Sequence, residues 1–118
     1  MTDDRSARGA AAESLAARFL EARGLAIVER NFRRRRGEID LVARDGDVLV
    51  FVEVRLRSRR DYGGAAASIT AAKRARWMAA AGLYLASLPR TPPCRFDAVL
   101  LDALDASRIE WLKDVMSA

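Results

Sequence analysis

The chain has 118 residues, 51% hydrophobic and 31% charged, with a net charge of +5. That length suits one domain around a single core, and no apolar run reaches the roughly 18 residues that a membrane helix needs. With no histidine and one cysteine, Cys94, the chain lacks histidine-based acid–base chemistry, the usual zinc ligand sets and an internal disulfide, and a cytoplasmic location is expected.

Residues 1–8 read as a flexible tail and residues 9–118 as one domain. From Gly9 to Arg23 an alanine-rich stretch sets Leu15, Ala16, Phe19 and Leu20 at helical spacing, and Gly24 stops it. LAIVERNF (25–32) is a short strand, and RRRR (33–36) with Gly37 reads as a connection. EIDLVAR (38–44) and DVLVFVEVRL (47–56) are two strands joined by a tight Asp45-Gly46 turn. RSRRDYGG (57–64) is a polar loop. Ser68 or Thr70 caps a second helix that runs to about Ser87, and PRTPP (89–93) ends it. CRFDAVLLD (94–102) and RIEWLKDV (108–115) are two further strands, with Cys94 half-buried at the start of the first. The order αβββαββ predicts an α/β sheet with helices packed on it.

The hairpin carries the chemistry. Alternate residues of a strand face alternate sides. A two-residue Asp45-Gly46 turn pairs Arg44 with Asp47. One face then holds Ile39, Leu41, Ala43, Val48, Val50, Val52 and Val54. The other holds Glu38, Asp40, Val42, Leu49, Phe51, Glu53 and Arg55. Glu38 falls opposite Glu53, and Asp40 lies diagonal to it. Carboxylates gathered in this way raise one another's pKa unless a cation sits among them. Mg²⁺ fits such a gap with two protein carboxylates and retained water, while an Arg55–Glu53 ion pair is the plainer alternative. Glu13, at the edge of the first helix's apolar stripe, becomes a fourth acid if that helix packs over the charged face.

Arginines bracket this acidic set. Arg33, Arg34, Arg35 and Arg36 lead into Glu38, and Arg57, Arg59 and Arg60 follow Arg55. Arginine grips phosphate with a fixed fork of donors, so a basic rim around an acidic site suits a phosphodiester backbone. Lys73 and Arg76, early in the second helix, are two further candidate phosphate contacts.

GEID, thirteen residues from Asp40 to Glu53, and then FVEVR resemble the PD-(D/E)XK nuclease core. There an Asp begins one strand, a Glu-x-Lys lies on the next, and a helix Glu assists. The matching positions are Asp40, Glu53, Arg55 and Glu13. The layout is similar to that of archaeal Holliday-junction resolvases, and more closely to the bacterial YraN family of endonuclease-like proteins. The stretches AAESLAARFLEARGL, NFRRRRGEIDLVARD, VFVEVRLR, ITAAKRARWMAAAGLYL and RFDAVLL carry that likeness. The resemblance implies a restriction-endonuclease-like αβββαβ core, a mixed sheet flanked by helices. The chain departs from the motif in its third position, where Arg55 replaces lysine and, always protonated, cannot act as a base.

The leading expectation is therefore a divalent-metal-dependent nucleic-acid phosphodiesterase. Its expected substrate is DNA, with branched DNA a candidate. Asp40, Glu53 and the Val54 carbonyl would hold Mg²⁺ or Mn²⁺, Glu13 and Glu38 would assist, and Arg55 would stand at the reacting phosphate. The alternatives are a nucleic-acid-binding module that kept the fold without the chemistry, and an adaptor that binds a protein partner. No membrane partner is expected, and a homodimer is compatible with each reading.

Overall fold

The computed structural model describes residues 4–56, 70–102, 104 and 106–116. Helix α1 (Asp4–Ala22) leads into three strands, β1 (Ala26–Arg34), β2 (Gly37–Asp45) and β3 (Val48–Leu56). Helix α2 (Ala71–Ala86) follows, then β4 (Cys94–Leu101) and β5 (Ile109–Leu112). The sheet runs β1-β2-β3-β4-β5. β4 lies parallel to β3, and the other neighbours are antiparallel. Parallel neighbours need a long crossover, and α2 provides it. The expected α/β class with a mixed sheet and flanking helices is what forms.

The two helices cover opposite faces of the sheet. Ala12, Ala16, Ala17 and Leu20 of α1 pack on Leu41, Ala43, Val50, Val52, Val99 and Leu101. Trp77, Ala80, Ala81 and Tyr84 of α2 pack on Val42, Leu49, Phe51 and Ala98. The alternation expected of the hairpin is therefore real, with one exception. Ile39 joins the α2 side, together with Phe32, its partner on β1. No described helix is long and apolar enough to cross a membrane.

Several boundaries differ from the sequence reading. α1 begins at Asp4 rather than Gly9. Residues 7–10 are exposed, so these turns have no apolar stripe to announce them. β1 continues to Arg34, which pairs with Gly37. Arg33 and Arg34 are thus strand residues at a sheet edge, where outward arginines are tolerated, and Arg35-Arg36 alone make the turn. The next hairpin pairs Asp45 with Val48, so its turn is Gly46-Asp47 rather than Asp45-Gly46. Gly46 has φ +61°, the backbone that glycine at the first turn position adopts readily. β5 stops at Leu112, short of residue 115. Cys94 is exposed, not half-buried. The second helix is as expected, with Thr70 as its N-cap and Ser87 as its C-cap.

Asp97, the one charged side chain that is fully buried among the described residues, ties the C-terminal end to the sheet. Its carboxylate accepts from Arg95 Nε at 3.1 Å, from Trp111 Nε1 at 2.9 Å and from the Asp114 backbone N–H at 2.9 Å. A buried carboxylate is tolerated only when paired and hydrogen-bonded in this way.

Candidate functional site

β2 and β3 separate where the charges begin. Their ladder ends at the Leu41–Val52 pair. One further step would set Asp40 opposite Glu53. Instead the Asp40 side chain occupies the gap, and its Oδ2 accepts the Val54 backbone N–H at 2.8 Å. A strand residue points its N–H and C=O toward the same neighbour. The Val54 carbonyl therefore faces this same opening. The expected pairing of Glu38 with Glu53, and the diagonal place of Asp40, are corrected by this register: Asp40 is the nearer partner. The slip is two residues, an even number, so side chains along the paired stretch from Leu41 to Val52 keep their expected faces, and Ile39, beyond its end, does not.

Asp40 and Glu53 are near enough that each carboxyl acts on the other. Burial, and then the neighbouring Glu53 carboxylate, push the Asp40 pKa up to about 8 against the pull of the Val54 N–H, with Glu13 and Glu38 adding to the rise. Burial likewise raises Glu53, partly offset by the Lys73 ammonium, by the bond to Asp40 and by Arg55, while Glu38 adds to the rise. All four expected carboxylates thus act on one place. Glu13 arrives by a route the sequence did not suggest. Its helix lies against the apolar face, yet Glu13 still feeds the negative field at Asp40. The charged face is covered by α2 instead.

Between α2 and the hairpin lies a cleft of about 140 Å³, lined by Glu38, Glu53, Lys73, Arg76 and Trp77. Gly37 sets its geometry. A Cβ there would overlap the Arg76 carbonyl, so the backbone of α2 rests directly on the start of β2. The sequence reading treated Gly37 as part of a connection, because no spacing rule says which helix will come to lie on a glycine. Trp77 is buried and also walls the cleft, and its indole N–H has no partner among the described residues.

The basic groups divide. Lys73 and Arg76 line the cleft. Arg33 pairs with Glu38 at 3.6 Å, and Arg34 lies 4.1 Å over the Phe32 ring. Arg35 and Arg36 are exposed. Arg55 acts on Glu53, but its buried Nε has no partner among the described residues. Arg57, Arg59 and Arg60 lie outside the described residues.

Hard oxygen donors are what the site offers. The Asp40 and Glu53 carboxylates and the Val54 carbonyl suit a small divalent cation that keeps water and takes substrate oxygens for its remaining positions. Among the described residues no group of three or more Asp, Glu, Cys or His side chains is arranged to hold a metal.

Residues 12–101 match the family described as "Uncharacterised protein family UPF0102". The chain belongs to the UPF0102 family. It is 58% identical to the UPF0102 protein of Dechloromonas aromatica (strain RCB) over 98% of this chain and 93% of the relative. It is 56% identical to that of Cupriavidus taiwanensis over 97% and 86% of the two chains. With that of Herminiimonas arsenicoxydans it shares 48% over 93% and 86%. The UPF0102 match spans α1 through β4 and so includes Glu13, Glu38, Asp40, Glu53 and Lys73.

Proposed function

We propose that this UPF0102 protein is a divalent-metal-dependent nucleic-acid phosphodiesterase built on a restriction-endonuclease-like αβββαβ core, with DNA as its substrate. One observation carries the reading: Asp40 and Glu53 meet where the sheet opens, beside a cleft whose other wall is cationic. Two neighbouring buried carboxyls need either a proton or a cation between them. Asp40, Glu53 and the Val54 carbonyl would hold Mg²⁺ or Mn²⁺. The metal would supply charge neutralisation at the scissile phosphate and an activated water. The chain's own part is to orient. The Val54 N–H fixes the Asp40 carboxylate, Glu13 and Glu38 deepen the negative field that draws the cation, and Arg55 stands beside Glu53 as a permanent positive charge. Lys73, Arg76, Arg35 and Arg36 would grip the nucleic-acid backbone.

The test is hydrolysis of labelled branched, duplex and single-stranded DNA in Mg²⁺ or Mn²⁺, with Asp40→Ala and Glu53→Ala run beside wild type. Both variants, checked for folding, are expected to lose at least about 100-fold in rate. Folded wild type that cleaves nothing would end the proposal.

A second reading is a nucleic-acid-binding module without chemistry. It is favoured by Arg55 in the lysine position and by the small number of side-chain donors. Salt-sensitive DNA binding that survives Asp40→Ala, without cleavage in either metal, would select it.

A further inference from the structure

The chain has two lysines, Lys73 and Lys113. Lys113 lies 4.4 Å over the Trp111 ring beyond the end of β5. Lys73 lines the cleft with Glu38, Glu53, Arg76 and Trp77. Its place there is fixed at two points. Thr70 caps α2 by accepting the Lys73 backbone N–H at 3.2 Å. One turn on, the Arg76 carbonyl sits flush on Gly37. The first turn of α2 has no acidic residue. Lys73 and Arg74 therefore stand at the positive end of the helix dipole, an arrangement that disfavours cations unless an anion faces them.

We propose that Lys73, reaching in from α2, is the ammonium that binds a non-bridging oxygen of the scissile phosphate, the place a lysine at position 55 would take. The inference rests on the phosphodiesterase reading of Asp40 and Glu53. In that hydrolysis the oxygen of water bonds to phosphorus. The bond from phosphorus to one ester oxygen breaks, and the departing oxygen takes a proton from the water. Lys73 passes no proton. Its charge holds the phosphate as negative charge builds on the non-bridging oxygens. A compact ammonium with three rotatable donors suits a cleft this small better than a planar guanidinium does.

The experiment measures two things on one fluorescent branched DNA: binding by anisotropy with Ca²⁺ in place of Mg²⁺, and hydrolysis in Mg²⁺. Wild type is compared with Lys73→Ala, Lys73→Gln, Lys73→Arg and Lys113→Ala, each checked for folding by circular dichroism. Gln serves as the neutral variant if Ala lowers stability. Neutral replacement of Lys73 is expected to weaken binding about 10-fold and to lower the salt slope by about one. Hydrolysis should fall about 100-fold. Lys73→Arg should recover most of the binding, and Lys113→Ala should match wild type. If the neutral Lys73 variants bind and cleave like wild type, or if Lys113→Ala loses as much, Lys73 has no such role and the nuclease reading stands. Lys73-dependent binding by a wild type that never cleaves keeps the phosphate contact and overturns the nuclease reading. Wild type that neither binds nor cleaves overturns both.

Discussion

Asp40 holds a proton that an aspartate in water would have lost. Its native pKa of about 8 lies above the ordinary 3.8, so the folded state binds that proton more tightly than the unfolded chain does. The stability this carries is complete below about pH 3.8 and is lost as the pH climbs to about 8. Glu53 is shifted in the same direction. Asn at position 40 can still accept the Val54 N–H, and it carries no charge. Melting followed by circular dichroism in a chelator should therefore put Asp40→Asn about 4 °C or more above wild type at pH 8, with the gap closed near pH 4. A gap that ignores pH would show that the carboxyl pair is not what strains the native state. If the pair takes up metal, Mg²⁺ at pH 8 should raise the melting point of wild type and leave that of Asp40→Asn unmoved, since a ligand stabilises only the state that binds it. Asp40 and Glu53 were legible as neighbours because the hairpin sets them opposite or diagonal to each other in either register. Their direct approach was not, because it depends on the turn choosing Gly46-Asp47 over Asp45-Gly46.

Elements meet here through a backbone contact that no hydrophobic pattern announces. α2 was legible from its Thr70 cap and from a stripe of Ala72, Trp77, Ala80, Leu83 and Tyr84, of which Trp77, Ala80 and Tyr84 are buried against the sheet while Ala72 and Leu83 are exposed. What it would pack on was not legible, because helical spacing gives a face but no address. The site consequently lies on the α2 side, and the condition under which α1 would cover the charges is not met. Gly37→Ala should force the Arg76 carbonyl away from β2 and cost about 1–3 kcal/mol in chemical denaturation. Thr70→Ala should cost about 1 kcal/mol by removing the cap, with no such displacement. A Gly37→Ala protein as stable as wild type would mean that α2 does not rest on β2 in solution.

The whole molecule is closed at its far edge by Asp97. β5 is four residues long, too short to hold by its ladder alone, and the sequence offered only a half-apolar segment there. Its attachment depends on one aspartate seventeen residues before Asp114, a separation no local pattern can reveal. Asp97→Ala leaves the Trp111 indole N–H without its acceptor and removes one of the two carboxylate partners of Arg95, the other being Asp45, and should cost about 3 kcal/mol or more by denaturant titration. A loss under about 1 kcal/mol would assign the closure to apolar packing instead. Nearer the middle of the sheet, the parting of β2 from β3 has a consequence for mutational tolerance. It turns a main-chain carbonyl, that of Val54, toward the acidic pair. A donor of that kind belongs to the path of the chain and not to any codon. Position 54 is therefore free to vary among apolar residues that fill the α1 side, whereas every change at Asp40 alters the site itself. Saturation mutagenesis across the hairpin should find two adjoining seats with opposite habits, one permissive of shape and the other of nothing.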